Sequence, residues 1–204
     1  ENEIIFTSGG TEADNMALFG VAESYQHKGK HIITTQIEHH AVLHACKRIE
    51  KMGFEVTYLP VDETGIISLD DLKEALREDT ILVSIMYGNN EIGTIQPIKE
   101  IGQLLQSHQA FFHSDAVQAY GIEEINVDDL NVDLLSVSAH KINGPKGTGF
   151  LFVRDKVKLV PRAYGGEQER KRRAGTENVA AIVGFQEAAI VAAEERSVKW
   201  EKYQ

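Results

Sequence analysis

Residues 133–153 read Asp133-Leu134-Leu135-Ser136-Val137-Ser138-Ala139-His140-Lys141-Ile142-Asn143-Gly144-Pro145-Lys146-Gly147-Thr148-Gly149-Phe150-Leu151-Phe152-Val153, and their reading decides the architecture. Two apolar runs, 133–137 and 149–153, have the length and composition of buried strands. The link between them carries Gly144-Pro145 and Gly147 and has no room for a crossover helix, so the second run pairs antiparallel. Upstream, strand-like runs at 4–7, 31–35, 55–59, 81–86 and 110–114 alternate with segments of helical apolar spacing. Val42, Ala45, Cys46 and Ile49 share one helical face. Ser68 with Asp71, and Thr11 with Asp14, read as capping boxes, and Pro97 takes the place of a first helical residue. Residues 177 to about 196 are Ala- and Glu-rich and read as a long helix. Alternation of this kind predicts a three-layer αβα domain of the α/β class. Its seven-stranded sheet is mostly parallel, with one antiparallel strand.

Composition narrows the function classes. With 42% hydrophobic and 25% charged residues, the 204-residue chain reads as one globular domain without an interdomain linker. A net charge of −10 argues against a nucleic-acid-binding face, which needs clustered Lys and Arg. No apolar run approaches a bilayer span, so no membrane partner is expected. The single cysteine, Cys46, cannot form an internal disulfide, which fits a reducing compartment and gives a cytoplasmic expectation. Its place on the apolar helical face predicts a packed thiol. The chain starts at Glu1 almost inside a strand and stops inside a helix pattern, so both ends read as excised from something longer.

In open α/β sheets ligands bind beyond the carboxyl ends of the strands. Ser8-Gly9-Gly10-Thr11, Gly88-Asn89-Asn90, Asp115 and Ser138–Lys141 all follow strands there. The amides of Gly10 and Thr11 at a helix start suit a phosphate, although the same residues also make a plain tight turn. Lys141 and Asp115 together suit pyridoxal phosphate (PLP). The amine condenses with the aldehyde, and the carboxylate keeps the pyridine nitrogen protonated. Gln118 lies about one helical turn beyond Asp115, and Asn90 is either a turn residue or a ligand contact. Lys146 competes with Lys141 but lies further out in a Gly/Pro turn, where desolvating an amine is harder. His39 and His40 open a helix, and His39 can stack over a planar cofactor. His40 and His44 share a helical face, but without a third ligand no metal is expected. The mixed-charge run 167–173 reads as an exposed loop.

Six ordered motifs carry a resemblance. They are Phe6-Thr7-Ser8-Gly9-Gly10-Thr11-Glu12-Ala13-Asp14-Asn15, Glu38-His39-His40-Ala41-Val42, Gly88-Asn89-Asn90-Glu91-Ile92-Gly93, Ser114-Asp115-Ala116-Val117-Gln118, Ser138-Ala139-His140-Lys141 with Gly144-Pro145-Lys146-Gly147, and Arg173-Ala174-Gly175-Thr176-Glu177-Asn178. Together they resemble the cysteine desulfurases of the class V aminotransferase branch of PLP enzymes. The resemblance implies the large domain of a fold type I PLP-dependent transferase over residues 1–204. It implies Lys141 as the Schiff-base lysine, Asp115 on the pyridine nitrogen, Gln118 and Asn90 on the ring and its substituents, and His39 stacking on the ring and moving protons. Gly10, Thr11, Ser138 and His140 would hold the phosphate. Thr176 would reach the phosphate of a partner subunit, implying a homodimer.

The implied reaction converts L-cysteine to alanine and an enzyme persulfide that passes to a sulfur-acceptor protein, a cluster scaffold or a tRNA-thiolation enzyme. In the family a cysteine downstream of the lysine region becomes the persulfide, whereas here no cysteine follows Cys46. That cysteine loop, the substrate-clamping arginine and an opening N-terminal segment are expected outside these residues, so the chain alone is expected to be inactive. Ala139 stands where the family often has glycine. Selenocysteine lyase shares these motifs and is the enzymatic alternative. A non-catalytic PLP-binding or interaction module is the alternative of another class.

Overall fold

The computed structural model describes residues 2–198. Its strands are β1 (Ile4–Thr7), β2 (His31–Thr35), β3 (Glu55–Leu59), β4 (Thr80–Ser84), β5 (Phe111–Asp115), β6 (Leu134–Ser138) and β7 (Gly149–Val153). They form one sheet in the order β1-β7-β6-β5-β4-β2-β3. The pairs among β2, β3, β4, β5 and β6 are parallel, and β7 runs antiparallel to both neighbours, β6 and β1. A single reversed strand therefore sits inside the sheet, and its second neighbour is the first strand of the chain. Four runs coincide with the sequence reading. β4, β5 and β6 are shifted by one or two residues, because pairing rather than apolarity sets the ladder ends.

Strands buried on both faces explain the continuous apolar runs. Successive residues go to opposite sides of the sheet. Ile32, Leu82 and Leu134 join a core with Met16, Leu18 and Val21 of helix α1 (Gly10–Tyr25) and with Val42, Cys46 and Ile49 of α2 (His40–Glu50). Ile33, Val83 and Leu135 join the core on the other face with Leu72 of α3 (Leu69–Ala75), Ile98 and Ile101 of α4 (Ile98–Leu105), and Phe185 of the helix Val179–Glu194. This is the αβα sandwich.

Helix starts differ from the reading in detail. The Ser68 hydroxyl accepts from Asp71 N–H at 3.2 Å, as expected. Pro97 is the N-cap of α4 rather than its first helical residue. Thr11 caps nothing. α1 begins at Gly10 with Gly9 as an N-cap that has no side chain to give, and Asp14 is buried inside the helix. Glycine suits position 9 because its φ of 149° lies in glycine's territory. Glycine is needed at 149 because a Cβ there would stand 2.8 Å from the Gly9 Cα, so β7 and the loop after β1 touch backbone to backbone. The run 167–173 is not a free loop: Arg170 and Arg172 donate to the carbonyl of Asn2, and Arg173 pairs with Glu12 at 2.9 Å.

Among the described residues Phe112 is the largest fully buried side chain, at 1% exposure in the middle of β5. Phe112→Ala is expected to cost about 3–5 kcal/mol. Ile92→Ala, at a side chain 60% exposed, is expected to stay within about 0.5 kcal/mol. Urea denaturation of both variants checks this, and equal losses would refute the assignment of the core.

Candidate active site

Because β1, β2, β4, β5 and β6 run the same way, the segments leaving their carboxyl ends meet at one edge. There they line a cavity of about 230 Å³. β1 leads to Gly10 and Thr11, and β2 to His39. β4 leads to Met86 and Asn90, and β5 to Asp115, Val117 and Gln118. β6 leads to Ser138, His140 and Lys141. All the site residues expected from the sequence line this cavity except Thr176. Lys146 does not line it. Thr176 lies in a separate cleft of about 100 Å³ with Ser8, Gly147, Thr148 and Arg173, beside the same glycine loop.

Each side chain is set by its local backbone. Lys141 sits on a single 3-10 turn, Ala139–Ile142, that leaves β6 directly. Asn143 ends that turn in the left-handed conformation, φ 64°, which asparagine tolerates. The Ser138 hydroxyl and His140 Nδ1 are 2.8 Å apart. Asp115 Oδ1 accepts from Val117 N–H at 2.9 Å. His39 is the N-cap of α2, its Nδ1 accepting from Ala41 N–H at 3.1 Å. Asn89, not Asn90, builds the turn after β4, accepting from Glu91 and Ile92 N–H and donating to the carbonyl of Ile37. That leaves Asn90 at the cavity. At the start of α1 no side chain caps the first amides. The Gly10 site is so close to Val117 that a Cβ would come within 2.6 Å of its methyl carbon. An uncapped 16-residue helix aims its free N–H groups and positive dipole end at whatever occupies the edge.

Beneath the cavity lies a set of buried polar groups that the sequence reading missed. Asp14 is 1% exposed, and its Oδ1 has no hydrogen-bond partner. Burial pushes its carboxyl well above the usual range, and neighbouring Asp115 pushes it further. Glu38 is 4% exposed. Its Oε1 accepts from Thr35 Oγ1 and Met86 N–H at 2.8 and 2.9 Å. Burial still raises it to about 8. Asp115 is also raised by burial, opposed by the Val117 amide and by His39 and Lys141. His113, fully buried between Ser84 and Ser136, is pushed down to about 3 by burial. The 3.7 Å approach of its Nε2 to Asp14 Oδ1 is therefore a contact between neutral groups rather than an ion pair. The available signal was an acid inside an otherwise apolar helix, Ala13-Asp14-Asn15-Met16-Ala17-Leu18. The cap reading diverted it.

Two other features carry no chemistry. A cavity of about 450 Å³ opens at the amino ends of β5 and β6. Its acids Asp128 and Asp133 are engaged by Arg154 and Lys156 at 2.6 and 2.8 Å. Cys46 is fully buried, and burial, with Glu38 and Glu50, pushes its thiol up to about 12. Among the described residues no helix is long and apolar enough to cross a membrane.

The aminotransferase class-V family matches residues 1–203. A putative cysteine desulfurase IscS 1 of Bacillus subtilis (strain 168) is 63% identical over 204 residues, all of this chain and 54% of that protein. The cysteine desulfurase IscS of Methanosarcina thermophila is 61% identical over 96% of this chain and 48% of its own length. Among solved structures, a NifS-like protein superposes with TM-score 0.93 at 45% identity, covering 96% of this chain and 54% of that one. SspA in complex with cysteine gives 0.90 at 44% identity, covering 93% and 55%. The chain thus spans about half the length of the curated relatives it matches.

The raised carboxyl of Glu38 makes the fold of the cofactor-free chain pH-sensitive. Between its ordinary value of 4.5 and its folded value of about 8, the folded chain keeps a proton that the unfolded chain has released. The Glu38 contribution is therefore fully present at low pH and is lost as pH rises toward about 8. Glu38 adds about 1.4 kcal/mol per pH unit to that decline. Urea midpoints taken from pH 6.5 to 8 should show it, and Glu38→Gln should flatten it by about that slope. An unchanged slope in the variant would show that Glu38 is ionised in the fold.

Proposed function

The chain belongs to the aminotransferase class-V family, and from that premise we propose that it is the cofactor-binding part of a PLP-dependent cysteine desulfurase. One observation carries the reading: Lys141 and Asp115, from different strand ends, line one cavity at the uncapped start of α1. The residues present fit PLP on three counts. Free amides at Gly10 and Thr11 suit a phosphate, and the Ser138 hydroxyl and His140 add polar atoms beside them. Buried Asp115 suits a protonated ring nitrogen. Lys141 is the cavity's amine among the described residues.

When bound, PLP supplies the electron sink for negative charge developing at the substrate Cα. The chain does the rest. Asp115, oriented by the Val117 amide, would hold the proton on the ring nitrogen. Asn90 and Gln118 would contact the ring and its substituents. Lys141 would hold the cofactor, and its Nζ would take the proton from the substrate Cα. His39, whose Nδ1 accepts from Ala41 N–H, would cover the ring with its other ring nitrogen free to donate.

Desulfuration needs a thiolate to attack the substrate sulfur, and Cys46 is sealed in the core. The reacting cysteine, together with the substrate-clamping arginine, belongs to the remainder of a protein about twice this length. L-Cysteine is the substrate, and a sulfur-acceptor protein takes up the persulfide. Thr176, outside its own cavity, fits a homodimer in which it reaches the phosphate of the other subunit. The lone packed thiol fits the reducing cytoplasm.

Borohydride should trap PLP on Lys141. Lys141→Ala should abolish the trapped adduct while Lys146→Ala keeps it, and a labelled peptide containing Lys146 alone would reverse the assignment. Asp115→Asn should weaken PLP binding by about 1.5–3 kcal/mol, the cost of a lost charge-assisted hydrogen bond, and shift its absorption band. Unchanged affinity and spectrum would remove Asp115 from that role. The 204 residues alone, loaded with PLP, should release sulfide from cysteine no faster than free PLP. Turnover that vanishes in Cys46→Ser would overturn the location of the nucleophile.

A further inference from the structure

β2 and β4 lie side by side in the sheet, yet their backbones part at the cavity edge. Their register runs to Thr34 and Ser84. Beyond it the β2 extension turns to β3, Gln36 N–H donating to the Leu59 carbonyl at 3.0 Å. The β4 extension turns to β5, Ile85 and Tyr87 N–H donating to the carbonyls of His113 and Asp115 at 3.1 and 2.8 Å. The two loops that follow carry His39 and Asn90, which line the same cavity. Two buried side chains bridge the split. Glu38 reaches from the first loop to accept from Met86 N–H at 2.9 Å. Asn89 reaches back from the second. Its Nδ2 donates to the Ile37 carbonyl at 2.9 Å and lies 3.4 Å from Met86 Sδ, while its Oδ1 accepts from Glu91 and Ile92 N–H at 2.8 and 3.0 Å. At 7% exposure, this carboxamide has every donor and acceptor in use.

We propose that Asn89 is a positioning residue for the cofactor: it holds the loop carrying Asn90 against the loop carrying His39, and so sets the span of the cavity that receives the ring. The turn itself is already closed by backbone. Asn89 N–H donates to the Thr94 carbonyl at 2.9 Å, and Gly93 N–H donates to the Asn89 carbonyl at 3.1 Å. The bond to Ile37 adds nothing to that turn; it joins loops 52 residues apart in sequence. Asn90 donates its side-chain amide to neighbouring Glu91 at 3.0 Å, so the backbone that Asn89 holds decides where Asn90 stands. Met86, between them on the cavity wall, is held at its amide by Glu38 and at its sulfur by Asn89. Contact groups carried on loops need support of this kind, because a site left slightly loose loses affinity. The effect on the cofactor rests on the PLP reading, whereas the tie between the loops stands on the hydrogen bonds alone.

The test substitution is Asn89→Ser, which keeps an oxygen for the turn amides but has no amide to reach Ile37. In the cofactor-free chain, amide hydrogen exchange should quicken in peptides covering both 36–41 and 86–93, with 111–118 unchanged. In PLP titrations followed by visible absorbance, affinity should fall about tenfold, the scale of one lost buried hydrogen bond. Made in a His39→Ala/Asn90→Ala background, the same substitution should change PLP affinity by less than about twofold, because the groups it positions are gone. A merely structural role would lower affinity equally in both backgrounds. Should Asn89→Ser fail to fold by circular dichroism, Asn89→Asp, which is isosteric and keeps the acceptor oxygen, takes its place. Exchange unchanged at 36–41, unchanged PLP affinity, or an equal loss in both backgrounds would overturn the proposal. If the unaltered chain takes up no PLP, the cofactor reading fails, and exchange at 36–41 alone decides whether Asn89 ties the loops.

Discussion

Strand direction is the constraint on which the rest of this structure depends. Side chains from five strand ends can converge only if those strands point the same way, and β1, β2, β4, β5 and β6 do. β7 runs antiparallel to both β6 and β1, so β1 points the same way as β6. Its tight return from β6 also forces a single 3-10 turn immediately after Ser138, and Lys141 stands on that turn. The anomaly in the sheet and the placement of the amine are one feature.

Much of this was legible in the sequence because buried parallel strands announce themselves as short apolar runs and because the 138–148 link was too short to cross over. The convergence of Gly10, Asn90, Asp115, Ser138 and Lys141 followed from their places directly after strands, and His39 joined them through the family resemblance. Where the reading failed, a local rule met a tertiary one. Thr11 with Asp14 matches a cap pattern, but Gly9 lets the helix start against β7 and turns Asp14 inward. Residues 167–173 have the charge pattern of a solvated loop. Their arginines nevertheless dock on β1 carbonyls and on Glu12, partners far away in sequence. Glu38 and His113 could not be read as a buried network because their partners, Met86 just after β4, Ser84 and Ser136, lie far away in sequence.

Those missed groups account for the electrostatics of the cavity. Asp14, Glu38 and Asp115 share one small volume of low polarizability, where three negative charges cannot coexist. Burial falls hardest on Asp14 and Glu38, whose remaining oxygens have no donors. Asp115 has a backbone donor and two neighbours, His39 and Lys141, that oppose its rise. The environment therefore sorts three chemically similar acids into two that keep their protons and one best able to give its proton up. Neutral His113 adds no charge beneath them.

The arrangement has a consequence for what the edge attracts. Two carboxyl groups that are neutral only because they are buried, beside a third able to ionise, make a pocket whose unmet demand is for positive charge. A protonated ring nitrogen meets that demand at Asp115 and leaves Asp14 as a neutral neighbour. The desolvation that makes the contribution of Glu38 fall as pH rises is the same one that keeps Asp14 neutral. An apolar replacement at Asp14 would relieve the fold of a buried carboxyl oxygen without a donor and take a polar group from the cavity wall, so at this edge the needs of the fold and of the site pull in opposite directions.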